Sequence, residues 1–231
     1  MGFRCLTALL TNLIWREREA PVQIAFIKCA GPHAGSRSPA VSQKLRILGE
    51  ELLAENWGTF KKTALEMQRR DGSWQKIERE TYDSGDGAGI LLYNRQHGTV
   101  VLVRQFRFPV FTHDATGLLV EVAAGKLDGD DPATCARREA EEETGYRVGP
   151  PTFVCTCYTS PGSATERLWL YVAEYDADSR VSAGGGLEAE GEDIEVLELP
   201  FTDAMEMLAR GEIADAKTVI LLQHLALQKL L

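Results

Sequence analysis

The chain has 231 residues, of which 44% are hydrophobic and 26% are charged, and this composition suits one folded domain with an additional segment. The formal net charge of −9 argues against a nucleic acid as the main partner, because no surplus of lysine and arginine can neutralise its phosphates. No stretch approaches the roughly 20 apolar residues that span a bilayer, so no membrane association is expected. The five cysteines lack C-x-x-C spacing, which indicates reduced thiols and a cytoplasmic protein.

The first 44 residues differ in composition from the rest. Residues 31–42 are rich in Gly, Pro and Ser, which is typical of a linker, so residues 1–44 are predicted to be a disordered arm. An N-terminal β subdomain is predicted over 45–84 and the main domain over 85–231. In the subdomain, strands are predicted near residues 46–53, 58–69 and 73–82, with a turn at 70–72.

In the main domain, short apolar runs alternate with turn signals around one clear helix. That helix is predicted from Pro132 to Thr144, because Asp130 or Asp131 can cap it, Pro132 suits its first turn and Gly145 ends it. Strands are predicted near residues 89–93, 100–106, 118–123, 152–158, 166–174 and 193–199, and helices near 202–210 and 215–229. Strands on both sides of a central helix, closed by a terminal helix, predict an α/β (α+β) sandwich.

The central helix carries an unusual stack of carboxylates. Glu139 and Glu143 are four residues apart and share one face, with Glu142 beside them. Such like charges destabilise an isolated helix, and a divalent cation held by their oxygens would offset the repulsion; Mg2+ is the cation that pairs with phosphate substrates. Arg138 is placed to orient these carboxylates. The alternative is an ordinary solvated acidic face.

Residues 124–146 read AGKLDGDDPATCARREAEEETGY, which resembles the Nudix box, G-x5-E-x7-R-E-U-x-E-E-x-G-U, where U is apolar. The interval between Gly125 and Arg138 is one residue shorter than the box requires, and its early acid falls on Asp130 or Asp131, whose role stays open. The resemblance implies a Nudix α/β/α sandwich with a mixed sheet. It also implies a pyrophosphatase that depends on Mg2+, with Mn2+ as the alternative metal.

Beyond the box, the chain from about residue 44 to its end looks like the GDP-mannose pyrophosphatase branch of the Nudix family, close to the ADP-ribose pyrophosphatases. The segments that carry this likeness are 82–94, 103–108, 159–166, 183–199 and 211–221. The resemblance implies hydrolysis of a nucleoside diphosphate sugar: GDP-mannose to GMP and mannose 1-phosphate, or, as the alternative, ADP-ribose to AMP and ribose 5-phosphate.

Two further hypotheses assign the chain to other functional classes. A non-catalytic Nudix-fold nucleotide sensor is disfavoured because Glu139, Glu142 and Glu143 are all present. An RNA-cap hydrolase is disfavoured because the chain has no basic stripe.

The resemblance also assigns site residues. The metal ligands it implies are Ala124, through its carbonyl, Glu139, Glu143 and Glu192. The catalytic residues are Glu192, Glu166 and Glu143, with Glu192 and Glu166 as alternative general bases. The substrate contacts are Trp57, Glu78, Arg79, Glu80, Arg107, Gly125, Lys126, Glu166 and Lys217. A homodimer is implied, in which the strand of Glu78, Arg79 and Glu80 reaches the partner's site.

Several of these residues also have simpler explanations. Arg104 and Arg107 lie three apart on a predicted strand and so face different ways; one can pair within the protein while the other, Arg107 by resemblance, reaches a phosphate. The less favoured alternative is that both are surface arginines. Trp57 could stack on a nucleobase or lie in the core. Lys217 could be a surface lysine, and the acidic run 188–193 could be a solvated loop.

Overall fold

The computed structural model describes residues 44–231, so the predicted arm lies almost entirely outside the described residues. The described chain opens with a three-stranded antiparallel sheet in the order β1-β2-β3. Its strands are β1 Leu45–Glu55, β2 Thr59–Gln68 and β3 Trp74–Asp83. The turn between β2 and β3 falls where it was predicted: Gly72 has a φ of 87°, and Asp71 accepts a hydrogen bond from the amide of Ser73 at 3.0 Å.

A larger, seven-stranded sheet forms the main domain. Its strands are β4 Gly87–Asn94, β5 Thr99–Phe106, β6 Leu118–Glu121, β7 Ala123–Lys126, β8 Thr152–Tyr158, β9 Arg167–Glu174 and β10 Glu195–Pro200. Five of them follow the order β10-β5-β4-β9-β8, while β6 pairs with β5 and β7 pairs with β4. The β4–β9 pair is parallel and the others are antiparallel, so the predicted mixed sheet is confirmed.

Helices cover both faces of this sheet. They are α1 Phe108–Phe111, α2 Pro132–Thr144, α3 Phe201–Arg210 and α4 Ala216–Gln228. One core packs α2, through Cys135, Ala136 and Ala140, against one face of the sheet. A second core packs α3 and α4 against the other face. The α/β/α sandwich is therefore confirmed; no helix within residues 44–231 has the length and apolar character that a membrane crossing requires.

The prediction of one strand over residues 118–123 is wrong. The chain changes partner at Val122, so that β6 pairs with β5 and β7 pairs with the first half of β4. A continuous apolar run shows that a segment is buried but not which neighbour it pairs with. The short helix α1, after Arg107, was also not predicted, since four residues carry no helical period.

The capping signals place α2 where the sequence predicted it. Of the two candidate caps, Asp131 accepts the hydrogen bond from the amide of Thr134, at 2.9 Å. Gly145 ends the helix with a φ of 80°. A Cβ at Gly145 would also overlap the carbonyl of Ser182, so the glycine lets the segment that follows β9 pack against the end of α2.

Candidate active site

A cavity of about 380 Å³ opens beside β7, the start of α4 and the turn that precedes β2. It gathers residues from distant parts of the sequence, as a ligand site between elements requires. The predicted site residues that line it are Trp57, Arg107, Ala124, Gly125, Lys126, Glu166 and Lys217.

Two carboxylates of α2 lie next to this cavity and are largely withdrawn from water. Glu139 is 7% exposed and Glu143 is 1% exposed. Glu139 lies directly against Gly125 of β7, because a Cβ on that glycine would overlap the carboxylate. The absence of a side chain at Gly125 thus lets the α2 carboxylates approach the strand whose residues line the cavity.

Burial and mutual repulsion disturb the ionisation of both groups. Burial is the main cause that raises the pKa of Glu143 to about 9, and the charges of Glu139, Glu121 and Glu192 raise it further against the opposing effect of Arg107. Burial likewise raises the pKa of Glu139 to about 7, although Arg138 opposes the shift. At neutral pH the carboxyl group of Glu143 therefore keeps its proton, whereas that of Glu139 is only partly protonated.

Arg138 orients the acidic face of α2, as predicted. Its guanidinium contacts Glu139 at 2.9 Å and Glu142 at 3.0 Å, and it donates to the carbonyl of Lys126 at 3.2 Å. The same carbonyl accepts a hydrogen bond from the thiol of Cys135, also at 3.2 Å. These contacts tie the helix to the loop after β7. Asp130, one of the two candidates for the early acid of the box, lies 3.5 Å from Arg138.

Close enough to Glu143 of the acidic helix for their charges to interact with it, Arg107 and Glu121 form part of a cluster in which two cations share one carboxylate. Glu121, at the end of β6, accepts a hydrogen bond from Nε of Arg107 at 2.7 Å and also pairs with Nζ of Lys217. Lys217 contacts Asp215 at 3.1 Å as well. Burial opposes the charge of Lys217, but the two carboxylates outweigh it and raise the pKa of the lysine. The surface interpretation of Lys217 is therefore wrong, since only 11% of its side chain is exposed, whereas 39% of the Arg107 side chain is exposed.

Glu121 and Asp215 are site residues that the sequence reasoning missed. Glu121 did carry a signal: it is a single carboxylate inside the apolar run 118–123, and an acid that is buried there needs a positive partner. Arg104, by contrast, pairs with Glu195 on the neighbouring strand at 2.7 Å, which matches the expectation that one of the two arginines serves the structure.

Glu192 lies on the loop that docks against the end of α2. Amides of Gly185 and Gly186 donate to the carbonyls of Glu143 and Glu142, at 2.9 and 3.1 Å. The carboxylate of Glu192 accepts a hydrogen bond from the amide of Leu187 at 2.9 Å. Its charge contributes to the raised pKa values of both α2 glutamates, so the loop brings a third acid toward them.

The remaining predicted residues divide into two groups. Trp57 is 73% exposed, which excludes the alternative that it lies in the hydrophobic core. Nζ of Lys126 lies 3.1 Å from the centre of its ring. Glu166 accepts a hydrogen bond from Thr159 at 2.8 Å, and both line the cavity. The predicted contacts on β3 are exposed and do not line the cavity of their own chain; they are Glu78, Arg79 and Glu80.

The α2 carboxylates fit a divalent metal. Within residues 44–231 no three His, Cys, Asp or Glu side chains stand as a ready-made metal cluster. However, both carboxylate oxygens of Glu143 are buried without a hydrogen-bond partner in the described structure, and a buried carboxylate in that state is costly. A hard cation would satisfy these oxygens, with Glu139 and the carboxylate of Glu192 as further ligands.

A second cavity, of about 430 Å³, lies along α2 beside Glu141 and Arg147. It is the larger of the two, but its charged groups already satisfy one another: Arg147 pairs with Glu141, and Arg138 with Glu142. The smaller cavity is therefore the better candidate site, because on its wall Gly125 contacts Glu139 and Arg107 interacts with the charge of the unsatisfied Glu143.

The fold and site together are those of an enzyme that hydrolyses phosphoric anhydrides: carboxylates on α2 that suit a divalent metal, and basic side chains at the neighbouring cavity that suit phosphate. The NUDIX domain model matches residues 83–222, and the model described as the GDP-mannose pyrophosphatase NudK N-terminal domain matches residues 44–82. The chain belongs to the Nudix family, whose hydrolases generally use divalent metal cations.

Several curated relatives match about four fifths of the chain. A GDP-mannose pyrophosphatase of Cronobacter sakazakii is 47% identical, over 81% of this chain and 98% of its own. The GDP-mannose pyrophosphatase of Pectobacterium atrosepticum is 48% identical, over 80% of this chain and 95% of its own. That of Escherichia coli O157:H7 is 45% identical, over 83% of this chain and 100% of its own. A crystal structure of an ADP compounds hydrolase superposes with a TM-score of 0.61 at 20% identity, covering 81% of this chain and 96% of that one, which supports the fold.

Proposed function

We propose that the chain hydrolyses GDP-mannose to GMP and mannose 1-phosphate with the help of Mg2+. The observation that carries the proposal is the buried, unsatisfied carboxylate of Glu143 on α2, whose charge interacts with Arg107, beside a cavity that Arg107 and Lys217 line. Carboxylates of this kind suit a divalent cation, and the basic groups suit a diphosphate. The choice of GDP-mannose rests on the relatives of that name, which match the N-terminal and catalytic segments together.

The metal would be held by Glu139, Glu143, Glu192 and the carbonyl of Ala124. We propose Mg2+ before Mn2+ because Mg2+ is the usual partner of phosphate substrates. When bound, such cations neutralise the diphosphate and lower the pKa of a bound water.

The side chains of the cavity supply binding, orientation and proton transfer. Arg107 and Lys217 bind non-bridging oxygens of the diphosphate and hold the scissile bond in place. The water oxygen forms a bond to one phosphorus while the bond from that phosphorus to the bridging oxygen breaks, and the bridging oxygen leaves with the other phosphate. The proton of the water passes to a carboxylate, either Glu192 or Glu166. The exposed face of Trp57 receives the guanine once Lys126 moves from it.

We also propose a cytoplasmic homodimer. The sheet β1–β3 exposes large apolar side chains, such as Ile47 at 60% and Leu52 at 53%, which a second copy would cover. In that arrangement the β3 residues Glu78, Arg79 and Glu80 contact substrate in the partner's cavity. Light scattering on the purified protein is expected to give twice the mass of one chain, and a monomeric mass would reject the dimer.

A substrate panel tests the activity. We expect the highest kcat/KM for GDP-mannose among GDP-mannose, ADP-ribose, ADP-glucose and NADH, with no turnover after chelation. A higher kcat/KM for ADP-ribose would move the assignment to that substrate, and no hydrolysis of any member would reject the proposal. Reaction in 18O-labelled water identifies the attacked phosphorus, because only the product that contains it gains the label.

Two pairs of variants test the assigned roles. Glu143→Gln is expected to lower kcat by at least about 100-fold, whereas Glu141→Gln, the same change on the solvent side of α2, is expected to leave it near the wild-type value. Comparison of Glu192→Gln with Glu166→Gln identifies the general base, since loss of the base removes the acidic limb of the pH–rate profile. Persistence of that limb in both variants would exclude both residues.

A further inference from the structure

We propose that Glu121 is a positioning residue of this site: its single carboxylate fixes Arg107 and Lys217 in the geometry that receives the diphosphate. The inference rests on the proposed function, and it assigns a task to a residue outside the predicted set of metal and substrate contacts. Glu121 is 2% exposed, so its charge needs strong partners within the protein.

The two oxygens of Glu121 have different partners. Oε1 accepts from Nε of Arg107 at 2.7 Å, while Oε2 pairs with Nζ of Lys217. Arg107 follows β5, Glu121 ends β6, and Lys217 lies in the first turn of α4. One carboxylate therefore joins three elements that are distant in the sequence.

The start of α4 is independently anchored, so that Lys217 is delivered to Glu121 from a fixed helix. Asp215 caps α4 by accepting from the amide of Thr218 at 2.9 Å. The buried hydroxyl of Thr218 in turn accepts from the amide of Val122 at 2.8 Å, at the point where β6 gives way to β7. This anchor leaves the side chain of Lys217, which is 11% exposed, little freedom beyond its contacts with Glu121 and Asp215.

Glu121 uses only some of the hydrogen-bond donors of Arg107 and Lys217. Glu121 occupies Nε of Arg107, and within the described residues the guanidinium makes no other side-chain hydrogen bond. Its two terminal nitrogens therefore remain for the paired oxygens of a phosphate. Arg107 and Lys217 both line the cavity, so the donors that Glu121 does not use are available to the diphosphate that is proposed to bind there.

The charge balance shows why an acid is needed between the cations. Arg107 and Lys217 carry two positive charges, and Glu121 and Asp215 carry two negative ones. Without Glu121 the two cations would repel each other and move apart before substrate arrives. When the two cations are already in place, less of the substrate's binding energy is used to order them. More of that energy is then available to stabilise the transition state.

The test is Glu121→Gln in the full chain, with Glu198→Gln as the matched control. A glutamine at 121 offers an acceptor to one cation but an amide donor to the other, so we expect kcat/KM for GDP-mannose to fall by about 100-fold, with a raised KM. Glu198 also accepts hydrogen bonds with both of its carboxylate oxygens, from Tyr146 at 3.0 Å, Tyr175 at 2.7 Å and Thr99 at 3.4 Å, but lies outside the cavity. Its glutamine variant is expected to stay within about threefold of wild type, since surface and distant changes rarely alter the site.

A double-mutant cycle distinguishes positioning from a merely structural role. If Glu121 acts through the cations, Glu121→Gln should cost less than about tenfold in a Lys217→Met background, because one of its two partners is already gone. Losses that multiply independently would overturn the proposal. So would a raised Mg2+ requirement with unchanged KM, because that pattern would make Glu121 a metal ligand.

Glu121→Asp provides the second variant if the glutamine protein does not fold. The charge is kept but the side chain is one methylene shorter, so that it holds one cation at a time; we expect a loss of about tenfold with the same non-additivity. Wild-type activity in a folded Glu121→Asp protein would overturn the inference. Failure of the wild-type protein to cleave GDP-mannose would instead reject the proposed function, which separates the two outcomes.

Discussion

Replacement of Glu143 by glutamine is expected to stabilise the metal-free protein at pH 7, although the same change lowers kcat by at least about 100-fold. The side chain is 1% exposed, and neither of its oxygens has a hydrogen-bond partner in the described structure. The folded protein therefore holds this group as a neutral acid, whereas the unfolded chain releases the proton. Glutamine has nearly the same shape and carries no charge in either state.

The size of the effect follows from the two pKa values. Glu143 has a pKa of about 9 in the folded protein against an ordinary value of 4.5. Between these values the folded state binds the extra proton, so stability decreases as the pH rises. The cost is about 3 kcal/mol at pH 7 and about 1 kcal/mol at pH 5. For a chain of this size, 3 kcal/mol corresponds to a rise in Tm of about 6 to 12 °C in the variant.

Thermal unfolding in a chelator at pH 5, 6, 7 and 8 measures this directly. The Tm of Glu143→Gln should exceed that of wild type by a margin that grows with pH, and saturating Mg2+ should reverse the order because only wild type keeps the full ligand set. Glu141→Gln is the control: this exposed acid on the same helix pairs with Arg147, so its replacement brings no gain. A variant no more stable than wild type at pH 7, or a margin independent of pH, would refute the argument.

Three further substitutions test the remaining parts of the site. Gly125→Ala places a Cβ against the carboxylate of Glu139 and should raise the Mg2+ concentration needed for half-maximal activity by about tenfold or more; an unchanged titration would contradict this packing. Trp57→Ala should raise the KM for GDP-mannose by about tenfold through lost stacking, and an unchanged KM would remove the guanine from that ring. Gly184→Ala should lower kcat by about tenfold or more, because its Cβ would overlap the backbone at the end of α2; Gly191→Ala, with a similar positive φ but open space, should retain activity.

The helix that carries the acids could be predicted in full from the sequence. Pro132, Thr144 and Gly145 mark its ends, and the spacing of Glu139 and Glu143 puts both acids on one face. These signals depend on neighbours within one or two turns, so they do not need the rest of the fold. Only the choice between Asp130 and Asp131 as the cap required the structure, because both side chains suit the position.

The pairing of strands that are distant in the sequence could not be predicted from the sequence. The run 118–123 is apolar and was predicted as one strand, but its two halves pair with different neighbours on either side of Val122. That change of partner brings Gly125 against α2 and leaves Glu121 facing Arg107. A strand can pair with any of several neighbouring strands, and its local composition does not determine which of them it joins.

The amino-acid order alone determined that this protein has an acidic helix suited to a metal, a mixed α/β sandwich and a set of candidate residues in separate segments. The tertiary structure decided which of them meet. Trp57 lies exposed at the cavity, Lys217 pairs with Glu121 with only 11% of its side chain exposed, and both oxygens of Glu143 lack a partner in the described structure. Periodicity and capping act over a few residues, whereas burial and charge pairing depend on atoms that only folding brings together.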